Sequence, residues 1–91
     1  MQPQAYAVPA GAVAVRAPMI GTFYRAPQPG AAPFVDVGSR IEAGATLCII
    51  EVMKLMNTVQ AEVAGTVREI RVADARPVSA GEVLIVIDPQ A

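Results

Sequence analysis

The chain has no histidine, no tryptophan, one cysteine and one lysine among its 91 residues. Without histidine, and with its only thiol in the apolar run Leu47-Cys48-Ile49-Ile50, it lacks the usual sets for general-base and nucleophilic catalysis. No grouping of Cys, His, Asp and Glu has metal-ligand spacing. No catalytic residue and no metal is therefore expected. A lone cysteine forms no intramolecular disulfide, and Cys48 reads as a small buried hydrophobe in a reducing compartment. No run of 18 apolar residues exists, so no membrane-spanning helix is predicted. Net charge is −1, with seven basic and eight acidic residues scattered rather than striped. That distribution argues against nucleic acid and anionic membrane as partners.

Residues 1 to 15 carry no charge and consist mainly of Ala, Pro and Val. Little large apolar surface and repeated proline predict a flexible, semi-extended linker over residues 1–16. Neither a secretory signal nor a transit peptide is expected there. The foldable domain is placed at 17–88 and a short tail at 89–91.

What is present is a repeat. Ile41-Glu42-Ala43-Gly44 through Glu51 aligns with Val78-Ser79-Ala80-Gly81 through Asp88 at an offset of 37. Ala17-Pro18-Met19-Ile20-Gly21-Thr22-Phe23 aligns with Ala61-Glu62-Val63-Ala64-Gly65-Thr66-Val67 at an offset of 44. Val and Ile runs punctuated by glycine, with no sustained helical period, make each half a set of short strands. Two such halves predict an all-β, pseudo-symmetric sandwich or flattened barrel in which each half covers the apolar face of the other. The first half carries seven extra residues, within Arg25-Ala26-Pro27-Gln28-Pro29-Gly30-Ala31-Ala32-Pro33. Three prolines and a glycine forbid a central strand and favour a stiff, protruding loop. A tolerated surface insertion and a functional one are equally compatible with these residues.

The strand ending at Glu51 has to reverse before Met56. A two-residue turn at Met53-Lys54 pairs Val52 with Leu55, Glu51 with Met56 and Ile50 with Asn57. Cys48, Ile50, Val52, Leu55 and Val59 then share a core face with Asn57, and Leu47, Ile49, Glu51, Met56, Thr58 and Gln60 share a more mixed one. Tight hairpins favour Asn-Gly or Asp-Gly, so Met53-Lys54 implies strain of order 1 kcal/mol per residue. A lone lysine at a hairpin tip is ordinarily a solvated charge, and methionines near it ordinarily fill gaps. The missing glycine and the position at the seam of two repeats weigh equally for a functional amine.

The heptad Glu51-Val52-Met53-Lys54-Leu55-Met56-Asn57 resembles the attachment motif of the biotin carboxyl carrier family, with Val52 where Ala is usual. The likeness runs from about Ala17 to Asp88 and takes in Ala17 to Arg25 and Phe34-Val35-Asp36-Val37-Gly38. Followed by a Pro-rich insert, that first segment looks most like the carriers of acetyl-CoA carboxylase. The resemblance implies two four-stranded antiparallel sheets with pseudo-twofold symmetry and covalent biotin on Lys54. It implies that a biotin protein ligase reads Glu51, Val52, Met53, Leu55 and Met56. It makes the insert, about residues 25–33, a "thumb" beside the biotin, with Arg25, Ala26, Pro27, Gln28, Pro29 and Gly30 its key residues; Ala26 stands where some relatives have Thr or Ser. Biotin carboxylase and a carboxyltransferase are the implied partners of a non-catalytic, monomeric carrier domain in the cytoplasm or a plastid, serving acetyl-CoA carboxylation in fatty acid synthesis. Asp74-Ala75 replaces a common Asn-Gly or Asp-Gly turn, which implies a strained or differently shaped turn there. Other biotin-dependent carboxylases, lipoyl domains and unmodified interaction modules are the alternatives. Lipoyl sites place an acid before the lysine, where this chain has Met53.

Overall fold

A computed structural model describes residues 8–89, and among these all regular structure is β-strand. The strands are β1 (Val13–Arg16), β2 (Gly21–Tyr24), β3 (Arg40–Ile41), β4 (Thr46–Val52), β5 (Leu55–Gln60), β6 (Gly65–Ile70), β7 (Arg76–Val78) and β8 (Val83–Pro89). They form two four-stranded antiparallel sheets, ordered β1-β8-β6-β3 and β5-β4-β2-β7. Exchanging each strand for its repeat equivalent, β1 for β5 through β4 for β8, turns one order into the other. The halves therefore do not stack as two separate layers. Each sheet takes two strands from each half, so the core forms only when both halves are in place.

The repeat holds to the level of single hydrogen bonds. The Ala17 N–H donates to the Glu82 carbonyl at 2.9 Å, and its equivalent, the Ala61 N–H, donates to Ala45 at 2.8 Å. The β1–β8 ladder shifts register between Val15 and Arg16, and the β4–β5 ladder does so at the matching place between Thr46 and Cys48. Between the sheets, Phe23, Leu47, Cys48, Ile50, Val67, Leu84, Ile85 and Ile87 are almost wholly buried. No buried polar or charged residue accompanies them among the described residues. The core is apolar, and its stabilisation comes from apolar burial.

One boundary is corrected. The linker expected over residues 1–16 gives way to β1 at Val13, which pairs with β8 from Val13↔Ile87 onward, and Val13 and Val15 pack half-buried against the core. The reason is tertiary. Val-Ala-Val-Arg has little apolar surface of its own, and it becomes a strand because the edge of β8, some 70 residues away in sequence, offers a ladder. Residues 1–7 of that linker lie outside the described residues. At the other end β8 includes Pro89, and residues 90–91 of the expected tail lie outside them too.

Candidate functional site

The β4–β5 hairpin has the register read from the sequence: Val52↔Leu55, Glu51↔Met56 and Ile50↔Asn57. Met53 and Lys54 both have positive φ, 51° and 68°, the signature of a type I′ turn. This turn matches the twist of the strands, and it costs of order 1 kcal/mol for each side chain held there. Both residues are exposed, Met53 to 91%. Asn57 Nδ2 donates to the carbonyls of Ile50 at 3.2 Å and Leu55 at 3.4 Å, bracing the hairpin just behind the tip. The one polar residue on the expected core face thus acts as a strut.

Burial along the hairpin departs from the expected two faces. Cys48, Ile50 and Val59 are buried as expected, but Leu55 is 69% exposed. Next to the turn the core face loses the cover it has further along the two strands. On the opposite face Leu47 and Ile49 are buried rather than mixed, and for Ile49 the cover is the insert.

That insert, the expected thumb, is built on two fixed points. At its apex Ala31 N–H donates to Gln28 at 3.1 Å across Pro29-Gly30, with Gly30 at φ 82°. Proline then glycine at these positions defines a type II turn, because only glycine takes positive φ there without strain. At its base the Phe34 N–H donates to the Arg25 carbonyl at 2.8 Å. Arg25 is a clamp rather than a tip residue: its N–H donates to Asp74 Oδ1, and its Nη2 to Asp36 Oδ1, both at 2.8 Å. Since Asp74 belongs to the second half, the clamp ties the insert to both repeats.

Between insert and hairpin lies a cleft of about 240 Å³ lined by Tyr24, Ala26, Pro27, Gln28, Pro29, Ile49, Glu51 and Met56. Its walls are apolar, with Gln28, Tyr24 and Glu51 as polar points. The Glu51 carboxylate accepts a hydrogen bond from the Tyr24 phenol and pushes the phenol pKa above its ordinary value. Cys48 is buried under the sheet, and desolvation pushes its thiol up to about 12, which removes it as a nucleophile at neutral pH.

The fold divides the expected recognition residues. Met53, Lys54 and Leu55 form the exposed tip, Glu51 and Met56 face the cleft, and Val52 is half-buried. Tyr24, Ile49, Asn57 and Asp74 were not among the site residues read from the sequence. The pairing of β2 with β4, the placement of the insert and the reach of the Asp74 carboxylate to the Arg25 N–H bring Tyr24, Ile49 and Asp74 in, and none of these is visible in a linear motif. Asn57 stood in the heptad, and its role as a strut shows only in the folded hairpin.

Comparison with known proteins gives consistent similarities. A profile described as "Biotin-requiring enzyme" matches residues 13–87. The chain is 51% identical over 88 residues to the biotin carboxyl carrier protein of acetyl-CoA carboxylase from Nostoc sp., covering 97% of this chain and 48% of the relative. It is 51% identical over 75 residues to the chloroplastic biotin carboxyl carrier protein of acetyl-CoA carboxylase 2 from Arabidopsis thaliana, covering 82% of this chain and 29% of the relative. The chain thus spans about half the length, or less, of these curated relatives. Among solved structures it superposes on a single-chain, multi-domain long-chain acyl-CoA carboxylase with a TM-score of 0.82 at 26% identity, covering 98% of this chain and 8% of that one. On the urea carboxylase of Kluyveromyces lactis the TM-score is 0.75 at 30% identity, covering 92% of this chain and 7% of that one.

Proposed function

The chain belongs to the biotin-requiring enzyme family, and from that premise we propose that it is a biotin carboxyl carrier domain with biotin joined to Lys54 by an amide on the ε-amine. One observation carries the reading: the only lysine of the chain stands exposed on a strained two-residue turn at the end of a hairpin. The identity to acetyl-CoA carboxylase carriers extends the proposal to acetyl-CoA carboxylation in fatty acid synthesis. Its partners are a biotin carboxylase, a carboxyltransferase and a biotin protein ligase, with the chain itself non-catalytic. The relatives are bacterial or chloroplastic, which favours the cytoplasm or a plastid. Met53 before the lysine, in place of an acid, favours biotin over lipoate.

The residues present fit a biotinyl group. The cleft beside the hairpin offers Pro27, Pro29, Ile49 and Met56 as apolar walls for a small bicycle, and Gln28, Tyr24 and Glu51 as hydrogen-bonding points for a ureido ring. Glu51 and Met56 share one face close behind Lys54, so a tether leaving the tip can fold back to that cleft. When bound, biotin supplies a ureido nitrogen that takes up and releases a carboxyl group. Acylation removes the charge of Lys54, and the stiff hairpin fixes the point from which the tether swings. Holding the group on such an arm raises its local concentration at each partner enzyme.

The test is intact mass after incubation with biotin, ATP and a biotin protein ligase. The chain gains one biotinyl group, and Lys54→Arg gains none. Labelling of the Arg variant, or modification of the wild type by a lipoate ligase alone, contradicts the assignment.

A further inference from the structure

Four of the five large apolar side chains that are markedly exposed among the described residues are Ile20, Met53, Leu55 and Met56; the fifth is Val37. Three of the four flank Lys54 in sequence. Ile20 does not, yet the fold brings it to the same end. β2 pairs with β4 at Thr22↔Glu51 and Tyr24↔Ile49, so the chain preceding Thr22 runs toward the Met53-Lys54 turn. Gly21 makes that approach close: a Cβ there would lie 2.6 Å from the Glu51 carbonyl oxygen and 3.0 Å from Val52. Ile20, one residue further along, is 69% exposed.

An isoleucine left in water at the same end of the sheet as the exposed Met53 and Leu55 adds nothing to folding. Large apolar side chains gathered at one exposed end mark a contact site. We propose that Ile20 is a specificity-determining residue for modification of Lys54: with Met53 and Leu55 it forms an apolar collar that docks on the biotin protein ligase. This rests on the proposed biotinylation of Lys54. The ligase is the partner that fits because it alone must reach the lysine nitrogen itself, which brings its surface against the base of the tip. The carboxylase and the carboxyltransferase act on a ring that lies a full lysyl and biotinyl chain further out, so they can work without touching the collar.

The experiment compares wild type, Ile20→Ser, Val37→Ser and Lys54→Arg as full chains with a biotin protein ligase, biotin and ATP, following the rate of biotin incorporation against acceptor concentration. Burial of one isoleucine at the interface corresponds to about a ten-fold fall in kcat/KM for Ile20→Ser, carried by KM with kcat preserved. Val37→Ser, equally solvent-facing but outside the collar, keeps the wild-type rate, and thermal melts of both variants match the wild type. Biotinylated Ile20→Ser, prepared by prolonged labelling, is carboxylated by a biotin carboxylase at the wild-type rate. Wild-type kcat/KM for Ile20→Ser overturns the proposal, as does an equal loss in Val37→Ser, or a deficit that appears only at the carboxylase. Failure of the wild type to label, or labelling of Lys54→Arg, instead overturns the underlying reading of Lys54.

Discussion

At the scale of single residues, three non-glycine positions have positive φ: Met53, Lys54 and Ala75. The repeat separates their meaning. Ala75 is the counterpart of Gly38, and each makes the same bond, Gly38 N–H to Val67 and Ala75 N–H to Phe23, both at 2.8 Å. The left-handed conformation costs an L-residue about 1–2 kcal/mol. Glycine avoids that cost, but gives back about 0.4–1 kcal/mol through the greater freedom of its unfolded chain. Ala75→Gly should therefore stabilise the domain by about 0.5–1 kcal/mol in urea unfolding and leave biotinylation unchanged. A neutral or destabilising result would mean that the turn already absorbs the strain. Met53 and Lys54 bear the same kind of cost, but glycine cannot stand in for Lys54 under the proposed function, which places biotin on its side chain. The sequence marked both turns as unusual, since each lacks the expected glycine, and the structure shows that strain is the outcome at both.

At the scale of elements, the hairpin was legible and the insert only partly so. Alternation and a two-residue gap fix the β4–β5 register. Pro29-Gly30 fixes the turn at the apex of the insert. The surface on which the insert rests is not encoded locally: the Asp74 carboxylate reaches the Arg25 N–H across 49 positions of sequence. β1 was illegible for a related reason, being a strand made by its partner. Replacing Val13–Arg16 with Gly-Ser repeats should cost at least about 2 kcal/mol, from two half-buried valines and a lost edge ladder. Urea denaturation checks this; a flexible linker reaching residue 16 would instead give no change.

At the scale of the whole molecule, interleaved halves and an apolar core couple the stability of the domain to its one buried thiol. Cys48 lies inside the core cluster, and burial raises its pKa from an ordinary value of 9.0 to about 12. Below 9 the thiol is protonated in both the folded and unfolded chains, and it adds no pH dependence. Above 9 the unfolded chain releases a proton that the folded chain keeps, so stability falls as pH rises toward about 12. Urea unfolding from pH 8 to 11 should show wild-type stability dropping relative to Cys48→Val above pH 9. A constant difference between the two would contradict the burial of the thiol. Tyr24, whose pKa is raised by Glu51, adds a decline of the same sign to both chains and cancels in the comparison. By itself the sequence determined the all-β class, the duplication, the hairpin register and the singular lysine, because alternation, turn chemistry and composition act over a few residues at a time. The tertiary structure alone decided that the halves interleave, that β1 is a strand, that the insert walls a cleft over Ile49 and Glu51, and that Ile20 comes to the Met53-Lys54 end of its sheet. Each of these depends on which remote edge a segment finds to satisfy its backbone and cover its apolar surface, and no local pattern records that choice.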